Sequence, residues 1–152
     1  MKLDTLQINS PLGSLELKTD GNAIIALNFV FGEQSKTASS HPILIEASAQ
    51  LNLYFKNKLS EFKLPLKPKG SSFQIKVWDH LNKIPFGSIQ TYAQIAWELD
   101  TAPRAIGGAC AKNPIPIIIP CHRVTASSGK PGGFSAGSGV KTKLQLLKHE
   151  LN

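Results

Sequence analysis

The residues best suited to chemistry lie near the end of the chain, at Cys121-His122-Arg123, directly after Ile117-Ile118-Ile119-Pro120. A thiolate is a strong nucleophile, and an adjoining base or cation raises its population. His122 offers the base and Arg123 the cation. Neighbouring side chains of an extended chain point to opposite sides, so His122 can take the Cys121 proton only across a turn or through a water. An imidazole in that role needs a third group to orient it, commonly a carboxylate. Glu150 is the only acid after Cys121. A buried structural thiol, the usual state of a free cysteine, fits the same residues, and the pattern alone leaves both readings open. The other thiol, Cys110, is read as packing. Two cysteines make neither a disulfide framework nor a four-ligand zinc site.

The elements that must hold these groups are legible in outline. Residues 1–31 read as β structure: Leu15 and Leu17 alternate with polar residues after a turn at Pro11–Gly13, and 24–31 is a second apolar strand. A polar, Ser-rich loop is expected at 32–41. A helix is expected at 42–58, where Ala47, Leu51 and Tyr54 recur at helical spacing. The Pro-bearing stretch 64–70 is extended, because proline disfavours helix before it. It marks the boundary between an N-terminal domain, 1–66, and a C-terminal one, 71–152. In the second half, Ser71 or Ser72 caps a helix over 73–82, and Thr91 opens a short one. Pro103 starts a third, over 104–112. Ile117 to Ile119 is expected as a buried extended segment, followed by a Gly/Ser-rich loop at 127–139 and a last helix at 141–151.

Helix, short turn and helix within a basic half make a helix-turn-helix candidate. The chain carries a net charge of +7, most of it after residue 69, and only two of its 17 cations are arginines, Arg104 and Arg123. Basic charge attracts polyanions without regard to base sequence. The candidate second helix contains Ala105, Gly107 and Gly108, and adjacent glycines each cost a helix about 1 kcal/mol against alanine. Tight helix packing would justify them, as would close approach of a nucleic-acid backbone. No apolar run is long enough to span a membrane, and the N-terminus lacks the apolar core of a signal peptide. A cytoplasmic protein is expected.

The segment Ile118-Ile119-Pro120-Cys121-His122-Arg123-Val124 resembles the active-site motif of the O6-alkylguanine-DNA alkyltransferases, also called methylated-DNA–protein-cysteine methyltransferases. The likeness runs in order through Phe73-Gln74, Val77-Trp78, Ile84-Pro85, Thr91-Tyr92, Arg104-Ala105-Ile106-Gly107-Gly108-Ala109, Asn113-Pro114 and Leu146-Leu147-Lys148-His149-Glu150. It implies an α+β fold, with an N-terminal ribonuclease H-like domain built on an antiparallel sheet. A mostly helical, winged-helix-like domain containing the helix-turn-helix follows. It implies direct repair of double-stranded DNA, with the alkyl group moving from O6 of guanine, and from O4 of thymine, to Cys121 once the nucleotide is flipped out. His122, Glu150, Tyr92 and Asn113 are implied as the other catalytic residues. Arg104 would be a finger filling the gap, with Tyr92, Ala105, Gly107, Gly108, Ser127 and Arg123 along the DNA. Pro116, Val124, Phe134 and Ser135 would wall the pocket. The product is a thioether, so the protein reacts once, as a monomer, with no cofactor and no metal. The turn before Arg104 is shorter than is usual in the family, and the loop at 135–139 is longer. A DNA-binding module without chemistry and a cysteine hydrolase are the competing readings.

Overall fold

The computed structural model describes residues 4–31 and 39–151, so most of the loop expected at 32–41 lies outside the described residues. The chain divides into two compact units, residues 1–69 and 70–152.

The first unit is a three-stranded antiparallel sheet with one helix on it. Strands β1 (Asp4–Ser10), β2 (Gly13–Thr19) and β3 (Ile24–Val30) follow one another in space as in sequence. Their period of two turns Leu15, Leu17 and Leu27 inward, where Leu44, Ala47, Leu51 and Tyr54 of α1 (Pro42–Phe55) meet them. The helix ends before the expected residue 58 because Asn57 adopts a left-handed φ of 59° and the Lys58 N–H returns to the Leu53 carbonyl, 2.8 Å. The extended segment after it runs beside β3: Ile24 N–H donates to Pro65 O and Lys67 N–H to Ile24 O.

The second unit is mostly helical. Helices α2 (Ser72–Leu81), α3 (Tyr92–Glu98), α4 (Pro103–Ala111) and α5 (Val140–Leu151) surround Val77, Trp78, Leu81, Ile95, Ile106 and Leu146. Ser71 and Thr91 both form complete capping boxes, with Gln74 and Gln94 respectively. These fix where α2 and α3 begin. The Trp78 indole N–H reaches the Ala109 carbonyl at 2.9 Å and locks α2 to α4. The short turn between α3 and α4 is closed by Asp100, at φ 55°, with the Thr101 N–H on the Ala96 carbonyl at 2.8 Å. A two-residue parallel pair, β4 (Gln90–Thr91) with β5 (Val124–Thr125), ties the start of α3 to the chain just after Cys121.

One expectation fails here. Ile115, Ile117, Ile118 and Ile119 are buried, but they form a turn rather than an extended strand. Ile117 takes a φ of 74°, and the Ile119 N–H bonds back to Ile115 O at 2.9 Å. A β-branched residue at positive φ is costly, and it is held here by full burial of the run and by Asn113. No helix is long and apolar enough to cross a membrane among the described residues.

Candidate active site

Asn113 builds the turn that leads into Cys121. Its side-chain amide donates to Ile119 O at 2.8 Å while its carbonyl oxygen accepts from Ile115 N–H at 2.9 Å. Pro120 then leads into a single 3-10 turn, Cys121–Arg123. In that turn neither side chain is constrained to the alternation of a strand, so Cys121 and His122 need not point to opposite sides.

Cys121 is buried yet lines a cavity of about 590 Å³. Tyr92 and Ala93 of α3, Pro103, Arg104, Gly107, Cys110 and Ala111 of α4, and Ala126, Ser127, Gly133, Phe134 and Ser135 of the following loop complete the wall. The volume lies in the range of small-molecule pockets and is ample for a nucleobase. The expected wall residues Phe134 and Ser135 are in place. Pro116 and Val124 are buried and do not line the cavity.

His122 is fully buried and turns Nε2 to Glu150 Oε2 at 2.7 Å. Glu150 also receives Arg123, through Nε at 2.7 Å and Nη2 at 3.0 Å. An ionised carboxylate only accepts, so Nε2 carries the imidazole proton and Nδ1 bears the lone pair. Nδ1 is the one buried side-chain polar atom with no partner among the described residues. Burial holds the His122 pKa below its ordinary value, against the pull of Glu150, so the ring is a neutral base near pH 7. Burial likewise pushes the Cys121 thiol up, opposed by the Asn113 hydrogen bond and the Lys143 charge.

Arg123 corrects the sequence reading. Expected on the DNA, it points inward, is 6% exposed, and donates from Nη1 to Ile84 O at 2.6 Å. Lys143 is the residue that the sequence concealed among 15 lysines. It is fully buried, with Nζ on the Val124 carbonyl, on Tyr92 Oη at 3.2 Å and on Gly133 O at 3.3 Å. Desolvation lowers its pKa, while the two thiols oppose that. Burial pushes the Tyr92 phenol up to about 12, with Cys110 and Cys121 adding to it. The phenol therefore stays protonated. Lys143 donates to its oxygen, which leaves the hydroxyl proton free for a ligand. A Cβ on Gly132, at φ 78°, would fall 2.7 Å from that oxygen. Cys110, read as packing, lines the cavity with its thiol raised to about 12 by burial.

The glycines of α4 have no internal reason. A Cβ on Gly108 would meet nothing within 4 Å, and one on Gly107 only the Tyr92 ring at 3.9 Å. Helix packing therefore does not require them, and this side of α4, with exposed Arg104 at its start, stands open to a close external surface.

Two family models cover the chain. Residues 6–68 match the 6-O-methylguanine DNA methyltransferase ribonuclease-like domain, and residues 72–152 match the DNA binding domain of the same proteins. The chain belongs to the 6-O-methylguanine DNA methyltransferase family. Among its relatives in that family, a methylated-DNA–protein-cysteine methyltransferase from Methanosarcina acetivorans is 37% identical over 146 residues, covering 91% of this chain and 94% of the relative. One from Saccharolobus islandicus is 42% identical over 144 residues, covering 93% and 91%. Mycobacterium tuberculosis OGT, solved in complex with DNA, is 38% identical with a TM-score of 0.85, covering 97% of this chain and 92% of that one. The α+β class expected from the sequence agrees with these methyltransferases. Among the described residues, no group of three or more His, Cys, Asp or Glu side chains is placed to hold a metal ion.

Proposed function

We propose that the protein repairs alkylated DNA by moving the alkyl group from O6 of guanine to Cys121 Sγ. On this reading residues 71–152 bind DNA and carry the chemistry, and residues 1–66 form a separate domain. One observation carries the proposal: Cys121 lines a nucleobase-sized cavity that the open helix α4 also borders.

A base inside a duplex cannot reach a buried sulfur, so the damaged nucleotide must be extruded, at a few kcal/mol of lost stacking and pairing. Arg104, exposed at the cavity rim, is suited to fill the gap. Gly107 and Gly108 let the backbone of α4 approach the groove. Ala105 and Ser127 flank the path of the strand.

At rest the thiol keeps its proton, because burial outweighs the Lys143 charge. When the lesion arrives, that proton passes to His122 Nδ1 through a bridging water. Glu150 stabilises the imidazolium so formed. Sγ attacks the alkyl carbon, the bond from that carbon to O6 breaks, and its electron pair stays with the purine. The Tyr92 hydroxyl donates to the purine ring as charge builds there, an acid role that a phenol held protonated can fill. On this reading O4-alkylthymine, which presents the same alkyl–oxygen bond in a smaller base, is a second substrate. The thioether has no carbonyl for water to attack, so each molecule reacts once. Every residue invoked comes from one chain.

Incubation with duplex DNA containing O6-methylguanine, followed by peptide mass spectrometry, tests the assignment. The methyl group is expected on Cys121, and Cys121→Ser is expected to bind duplex without transfer. A methyl group on Cys110, or on no cysteine, overturns it.

A further inference from the structure

Trp97 is 86% exposed, the most of any large apolar side chain among the described residues. Helix α3 buries Ile95 and Ala96 and exposes Ala93, Gln94, Trp97 and Glu98. Gln94 is engaged in the cap with Thr91, and Glu98 lies 3.2 Å from His80. Ala93 and Trp97 are four residues apart and share the remaining face. Ala93 lines the cavity together with Pro103 and Arg104. Trp97 therefore stands one helical turn beyond the cavity rim. The tight turn at Asp100 sets the start of α4 close behind it.

In helix-turn-helix proteins the second helix enters a groove while the first crosses the backbone. An indole suits that crossing: a wide rigid apolar face matches deoxyribose, and its edge N–H can reach a phosphate oxygen. We propose that Trp97 is part of the DNA-binding surface and packs against the sugar–phosphate backbone of the duplex beside the extruded nucleotide. The inference rests on the DNA-repair reading above. Because the contact is largely apolar, it adds an attraction that salt does not screen to one that salt does.

The chain has two tryptophans, and Trp78 is 1% exposed, so Trp97 emission can be isolated by subtracting the signal of Trp97→Phe. The protein is titrated with fluorescein-labelled undamaged duplex, following label anisotropy and tryptophan emission together. Quenching of Trp97 is expected to saturate with the anisotropy. Trp97→Ala, with its thermal midpoint checked, is expected to bind duplex about fivefold to tenfold more weakly. The slope of log affinity against log salt is expected to stay the same, because the indole is uncharged, whereas loss of a lysine or arginine contact to phosphate would reduce it by about one. If anisotropy reports binding while Trp97 emission stays constant and Trp97→Ala binds as tightly as the parent, the inference is overturned and the repair reading stands. If Trp97→Ala instead turns a dimer into a monomer in sedimentation, with DNA affinity intact, the occupant is a second copy and the inference is again overturned. If the parent protein fails to bind duplex at all, the repair reading itself is lost.

Discussion

Replacing Glu150 with glutamine separates the two functions that one carboxylate performs. Glu150 accepts from His122 Nε2 at 2.7 Å and from Arg123 Nε and Nη2 at 2.7 and 3.0 Å, and all three groups are buried. Removing one partner of a buried ion pair costs about 3–5 kcal/mol, because the other charge stays desolvated. For a chain of this size that lowers the thermal midpoint by about 9–15 °C. The amide can also donate to His122 Nε2, which pulls the imidazole towards the wrong tautomer and takes the lone pair off Nδ1. Loss of general-base assistance slows such reactions by about a hundredfold or more. The assay is thermal denaturation of Glu150→Gln, with single-turnover transfer from O6-methylguanine duplex measured well below the new midpoint. Adding Arg123→Met should recover part of the stability, since the stranded cation is gone, but none of the rate. A Glu150→Gln protein that keeps its midpoint refutes the ion-pair argument. One that keeps its rate refutes the orienting role.

Three further outcomes are expected. Arg104→Ala should lower repair of duplex about tenfold to hundredfold while affecting reaction with the free alkylated base much less; equal losses on both would remove the finger role. Lys143→Met takes away the charge that favours the Cys121 thiolate, so the rising limb of the pH–rate profile should move to higher pH; an unmoved profile would mean that the cation serves packing alone. His122 has a folded pKa held below its ordinary 6.5, so below that pH the unfolded chain binds a proton that the folded chain refuses. Stability should therefore fall with falling pH by up to about 1.4 kcal/mol per unit through this group. Urea midpoints at pH 7, 6 and 5 should show a shallower decline in His122→Asn, and identical declines would contradict the assignment.

The parts of the site that could be read from sequence are those with a local signature. Ser71 and Thr91 announce their helices through caps, and Pro103 through its fixed φ. Cys121-His122 announces itself through two reactive groups side by side. What failed depended on tertiary direction. Three β-branched isoleucines favour a strand, yet Asn113 folds them into a turn. Arg123 sits beside the nucleophile in sequence, but only the fold reveals that it faces Glu150 and the Ile84 carbonyl. Val124 and Pro116 lie in or near the motif and are still buried away from the cavity lining. Lys143 looks like any other lysine of α5. Its burial shows only once Tyr92 and the Val124 carbonyl arrive from elsewhere in the chain.

Lys143 and Glu150 share α5 at a separation of seven residues, two turns on one side of the rod. The partner of the phenol and the partner of the imidazole are thus mechanically ganged. Fraying, a proteolytic nick or a helix-breaking change within that single segment disconnects Tyr92 and His122 from their partners at once, while helix α4, which the proposed function sets on the DNA, keeps its own links to α2. Damage to the tail of the fold would then yield a protein that still occupies lesions but no longer clears them, an obstruction rather than a weakened reagent.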